Sequence, residues 1–161
     1  DKIEIQMKNL IKALKKFKNP IYWIYPNNDF GFQLVLKLLK NKDFKNIKII
    51  KNLDRNKFID LLSTSKMLIG NSSCGIIEAA SFKLPVVNIG TRQNNRPQSK
   101  NILNSSYKSK DIKKKIGLAL SVKFQKKCNA VKNLYYKKNS GYLTYKVLNQ
   151  LNQNSKILKK Y

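Results

Sequence analysis

The sequence predicts a doubly wound α/β domain, a parallel sheet with helices on both faces. Three observations carry that expectation: short β-branched or aromatic runs without alternation, amphipathic stripes between them, and a length of 161 residues, enough for one domain with a real core. Apolar residues at Ile3, Met7, Leu10, Ile11, Leu14 and Phe17 share one helical face with lysines opposite, and Asn19-Pro20 stops that helix. Ile21, Tyr22, Trp23, Ile24 and Tyr25 make an unbroken run ended by Pro26, which suits a strand buried on both faces. Gly31 opens a second helix with Phe32, Val35, Leu36 and Leu39 inward, and Ile47, Ile49 and Ile50 mark the next strand.

Asp54 can cap a third helix whose stripe is Phe58, Leu61 and Leu62. Met67-Leu68-Ile69 follows as a strand, residues 70–75 as a tight turn, residues 76–82 as a helix and residues 85–89 as another strand. This alternation from residue 21 to residue 89 implies right-handed crossovers and parallel strands. After a polar loop at residues 90–100, Ile102-Leu103 reads as a short strand. Ser109 or Asp111 starts a helix carrying Ile112, Ile116, Ala119 and Leu120, Ser140 starts the last one with Leu143, Val147 and Leu151, and the tail from Gln153 is expected to fray. No repeat or linker divides the chain, so residues 1–161 read as a single Rossmann-like domain.

Composition narrows the chemistry. Histidine is absent, which excludes Ser-His and Cys-His nucleophile pairs and His-ligated metals, and Cys74 and Cys128 are too few for a four-cysteine zinc site. The net charge of +26 invites a polyanion partner, yet only three of the 34 positive residues are arginine, and lysines are spread through nearly every segment beside abundant Asn and Ile. That is the signature of an A/T-rich codon bias and a solvated surface, so neither nucleic acid nor membrane is the expected partner, although a basic RNA- or membrane-binding module is the non-enzyme alternative. The apolar runs are shorter than a bilayer span, and residues 1–20 do not resemble a secretory signal, which places the expectation in the cytoplasm.

The eight carboxylates, Asp1, Glu4, Asp29, Asp43, Asp54, Asp60, Glu78 and Asp111, show no acid/base pairing by spacing. One segment does have the shape of a binding site. Gly70-Asn71-Ser72-Ser73-Cys74-Gly75 lies between a strand and a helix, where backbone amides and a positive helix end can meet a phosphate. Ser72 and Ser73 add hydroxyls, Gly70 and Gly75 would let a ligand approach the backbone, and Glu78 lies where a carboxylate can accept hydrogen bonds from ribose hydroxyls. The structural alternative is that Ser72 or Ser73 caps the helix and Glu78 completes a capping box. Cys74 reads as a small packing residue, since no basic partner is close in sequence. Arg92 and Arg96, within five positions of each other in a chain short of arginine, suit planar anion recognition.

The segment Leu68-Ile69-Gly70-Asn71-Ser72-Ser73-Cys74-Gly75-Ile76-Ile77-Glu78-Ala79, with Gly90-Thr91-Arg92-Gln93 and Arg96 downstream, resembles the carboxy-terminal half of the hydrolysing UDP-N-acetylglucosamine 2-epimerases. Tyr25-Pro26-Asn27-Asn28 resembles that family's proline-asparagine turn, and Asn133-Leu134-Tyr135-Tyr136 its last loop before the closing helix. The resemblance implies one half of a two-domain GT-B architecture, with a UDP-sugar in the cleft between halves. It implies that Ser72 and Ser73 bind the diphosphate, Glu78 the ribose, Arg92 the phosphate or the sugar, and that Asn27 faces the cleft. It also implies that the proton-moving carboxylates belong to the amino-terminal half, absent from this chain, that no cofactor is needed, and that a homo-oligomer is compatible with the activity. Many relatives have a histidine that helps hold the nucleotide before the helix at residues 56–64; the resemblance puts Asn52, or else Leu53, in its place, which makes Asn52 a candidate substrate-binding residue. A GT-B glycosyltransferase donor domain is the alternative with the same fold.

Overall fold

The computed structural model describes residues 2–15, 17–25, 32–40 and 46–150. The elements run in the expected alternation: α1 (Lys2–Leu14), β1 (Ile21–Ile24), α2 (Phe32–Lys40), β2 (Ile47–Ile50), α3 (Arg55–Thr64), β3 (Leu68–Gly70), α4 (Cys74–Ile77), β4 (Val86–Ile89), β5 (Ile102–Ser105), α5 (Ser109–Leu120), α6 (Val122–Asn129) and α7 (Ser140–Gln150). Among the described residues every strand pairing is parallel, and the ladders form two sheets, β1 with β2 and β3-β4-β5, with Gly70, Asn88 and Asn104 in register across the second.

Side chains alternate across the three-stranded sheet and build a layer on each face. Val87 and Ile89, with Met67, Ile69 and Leu103, pack against Ala13 and Leu14 of α1 and Ile112, Ile116 and Ala119 of α5. Val86, with Leu68 and Ile102, faces the other way onto Leu62 and Phe58 of α3 and onto Ala79, Phe82 and Leu84. All four residues of β4 are buried, as a central parallel strand requires. Ile21 and Trp23 of β1 pack against the first of these layers, so the smaller sheet shares its core.

Several boundaries depart from expectation for local reasons. The first helix ends at Leu14, and Phe17 reaches the core from the turn that follows. β1 is not buried on both faces, because Tyr22 is half exposed. The helix expected over residues 76–82 is one turn of α-helix from Cys74 followed by a 3-10 turn, Ala79–Phe82, closed by Lys83 at φ 55°. Ser121 caps α6 through its hydroxyl, a helix the apolar pattern did not separate from α5. α7 buries none of its residues, leaving Tyr142, Tyr145, Val147 and Leu148 exposed, so Leu143 and Val147 do not form the inward stripe expected of them. Leu151 and the tail beyond it lie outside the described residues. Among the described residues, no helix is long and apolar enough to cross a membrane.

Candidate functional site

The loops after β3, β4 and β5 leave the sheet from one carboxyl edge. Gly70 ends β3 at φ 149° and Gly90 follows β4 at φ 78°, both backbone conformations that a side chain resists. Among the described residues, none beyond its own chain neighbours brings a heavy atom within 4 Å of where a Cβ on Gly70 would stand, so the backbone there is uncrowded. Gly90 is the opposite case: its Cβ would overlap Cζ and the hydroxyl oxygen of Tyr107.

Ser72 is exposed and Ser73 half-buried at the tip of the turn. Ser73 occupies the cap position of α4 without a side-chain capping bond, and the Ser72 hydroxyl accepts only a long 3.4 Å bond from the Cys74 amide. Glu78 does not complete a capping box. Its Oε2 lies 2.6 Å from Nη2 of Arg55 in the first turn of α3, a close charge contact that is buried on the glutamate side and lacks hydrogen-bond alignment. The one-turn length of α4 also shrinks the dipole that a long helix would have aimed at an anion, so hydroxyls and amides of the turn must carry any such contact.

Gly75 corrects an expectation. It is buried, and a Cβ there would meet Val86 Cγ1 at 3.0 Å and Leu68 Cδ2 at 3.4 Å. Its smallness lets α4 lie close on the strands and does not open the backbone to a ligand. Burial raises the Cys74 thiol above its ordinary range, with Glu78 adding to the rise and a Ser72 hydrogen bond opposing it, which agrees with a packing role.

The β4–β5 loop brings Arg92 and Arg96, both exposed, to the same edge. Gln93 fastens that loop to the turn: it is 3% exposed, and its Nε2 donates to the Asn71 carbonyl at 2.7 Å. Asn88 donates to Asn104 and Asn104 to Gln98, each at 2.8 Å, which braces the loop from the sheet side. From outside, Asn133 donates to the Ile77 carbonyl and the Ser81 hydroxyl, while the Tyr135 hydroxyl donates to the Pro97 carbonyl. Asn52 is exposed in the loop leading to Asp54, and no hydrogen bond among the described residues joins it to the turn. Asn27 lies outside the described residues.

The family model described as UDP-N-acetylglucosamine 2-epimerase matches residues 1–149. The chain belongs to the UDP-N-acetylglucosamine 2-epimerase family. This family member is 44% identical over 104 residues to the UDP-N,N'-diacetylbacillosamine 2-epimerase (hydrolyzing) of Legionella pneumophila, covering 64% of this chain and 28% of that one. It is 40% identical over 102 residues to the UDP-N-acetylglucosamine 2-epimerase of Neisseria meningitidis serogroup B, covering 63% and 27%. The chain thus spans under a third of the length of these curated relatives. Its fold matches the UDP-GlcNAc 2-epimerase of Methanocaldococcus jannaschii, solved in complex with UDP-GlcNAc and UDP, at a TM-score of 0.72 and 18% identity, over 90% of this chain and 41% of that one. The fold class is the one expected, a Rossmann-like α/β fold of the kind that makes up one half of the GT-B architecture.

Two residues beside this turn carried no expectation of a role. Gln93 sits in a polar loop where one more amide gives no signal. Arg55 had one: it is a rare arginine in the first turn of a helix, where the dipole disfavours a cation. Gln93 yields a test. Gln93→Leu removes the bond to Asn71 together with a buried Oε1 that has no partner, so global stability should change by less than ~1 kcal/mol. Amides at residues 71–75 should nevertheless exchange about tenfold faster once the two loops part. Unchanged exchange would mean that the tie does not hold the turn.

Proposed function

We propose that this chain is the UDP-binding half of a hydrolysing UDP-N-acetylglucosamine 2-epimerase. In this reading Ser72, Ser73 and the amides of their turn hold the diphosphate, Glu78 accepts hydrogen bonds from the ribose, and Arg92 lies toward the phosphate or the sugar. UDP leaves by elimination to a 2-acetamidoglucal, and water addition then releases N-acetylmannosamine. The observation that carries the reading is the turn itself: the Gly70 backbone is uncrowded at the carboxyl edge, beside a Ser73 hydroxyl that makes no capping bond.

The protons are moved by the amino-terminal half. A chain with eight scattered carboxylates and no histidine is poorly equipped for that work, and the Arg55 contact already engages Glu78. A cytoplasmic enzyme feeding nonulosonic acid synthesis goes with this reading. The 44% identical relative named for UDP-N,N'-diacetylbacillosamine favours one variant, the same reaction on that doubly acetylated sugar.

Calorimetry of the intact enzyme with UDP tests the site. Ser73→Ala should weaken binding severalfold and Glu78→Ala about tenfold or more, the loss of charge-assisted hydrogen bonds. Binding that survives both substitutions unchanged would remove the site. Incubation with each UDP-sugar should release the free 2-epimer, whereas a glycosyltransferase would release none without an acceptor.

A further inference from the structure

We infer that Arg55 is the positioning residue for the Glu78 carboxylate and through it sets the preference for a nucleotide that carries a ribose diol. This rests on the ribose role of Glu78 proposed above. Arg55 Nη2 stands 2.6 Å from Glu78 Oε2, and that buried oxygen has no aligned hydrogen-bond donor among the described residues, so the charge contact is what faces it. A carboxylate oxygen taken out of water needs a compensating charge, and Arg55 supplies it.

The guanidinium is itself held in place. It lies over the ring of Phe58, 5.8 Å from the centroid, and Phe58 packs against the buried cluster of Leu62, Ala79, Leu84 and Val86. The core of α3 is thereby connected to the carboxylate through one cation. Helix stability does not account for Arg55, because a cation in the first turn opposes the dipole, and the cap of α3 is already served by Asp54, which accepts from the Lys57 amide and pairs with the Lys57 ammonium at 3.0 Å.

Glu78 needs such support. It sits at the joint between α4 and the 3-10 turn, at φ −110° and ψ −40°, where no regular helix fixes its direction. With Oε2 committed to Arg55, Oε1 is the oxygen left to accept from vicinal hydroxyls. Without Arg55 the carboxylate turns to water and the diol loses its acceptor.

The test compares UDP with 2',3'-dideoxy-UDP on the intact enzyme by calorimetry. In the parent protein UDP should bind about tenfold or more tighter than the dideoxy nucleotide, the value of hydrogen bonds to a charged acceptor. Arg55→Ala should weaken UDP about tenfold while leaving dideoxy-UDP nearly unchanged, collapsing the preference toward that of Glu78→Gln. Arg55→Lys, which restores a single charge contact, should recover part of the preference. Equal weakening of both nucleotides in Arg55→Ala, with the preference intact, overturns the proposal and leaves a merely structural Arg55. Tighter UDP binding in Arg55→Ala overturns it too, since Arg55 would then compete with the ribose. A parent protein with no preference between the nucleotides defeats the ribose reading of Glu78 itself, and the role of Arg55 falls with it.

Discussion

Gly90→Ala should cost this chain ~3–4 kcal/mol of stability, the sum of a left-handed conformation imposed on a side chain and a methyl group forced into a packed ring. Gly90 sits at φ 78°, and its Cβ would overlap Tyr107, a half-buried side chain that packs against the first core layer. The overlap falls on the phenol end of the ring, Cζ and the hydroxyl oxygen, so the ring must be displaced to admit the methyl. Urea unfolding followed by Trp23, the chain's single tryptophan, reads the loss. Gly90→Ala combined with Tyr107→Ala should recover the part due to overlap and keep the backbone strain of ~1–2 kcal/mol. Gly117→Ala is the control, since Gly117 lies within α5 with nothing near its Cβ position, and alanine there should stabilise by ~0.5–1 kcal/mol. Equal behaviour of the two glycines would show that Tyr107 does not confine Gly90.

The order of elements was legible because each depends on residues close in sequence. The apolar runs expected at residues 21–25, 47–50, 67–69 and 85–89 become strands at 21–24, 47–50, 68–70 and 86–89, and amphipathic stripes between them become helices, since a parallel sheet covered on both faces asks for those two patterns. What failed were features decided by distant partners. Gly75 looks like a ligand-facing glycine in sequence, and only the approach of Val86 and Leu68 reveals its packing role. Glu78 in the motif suggests a capping box, but a salt bridge to a residue twenty-three positions away competes for its carboxylate. The inward stripe expected of α7 is a true amphipathic signal, yet hydrophobic periodicity states that a face wants cover and not where the cover comes from. The serine turn was legible for a chemical reason: small residues between strand and helix leave backbone and hydroxyls accessible, and that information is entirely local.

Ile112→Ala should cost ~3–5 kcal/mol, the upper part of the range for truncating a core aliphatic. Ile112 is fully buried on α5, in one cluster with Leu14 of α1, Val87 and Ile89 of β4, and Ile116. Two other members of that cluster are Ala13 and Ala119, whose side chains are too short to move into the space left behind. Val87 is held by ladder partners on both sides of β4, Ile69 and Leu103, and Ile89 by Ser105 of β5, so neither backbone can move in and the void should persist. Val122→Ala, at a position 70% exposed, should change stability by less than ~0.5 kcal/mol. The same experiment examines cooperativity. Trp23 belongs to the two-stranded sheet but packs on the cluster that Ile112 fills, so Trp23 fluorescence and far-ultraviolet dichroism should shift together to lower urea with an unchanged slope. Two separated transitions would mean that β1 and β2 unfold as a unit apart from β3, β4 and β5, and that contact with a common core does not suffice to join sheets whose ladders do not meet.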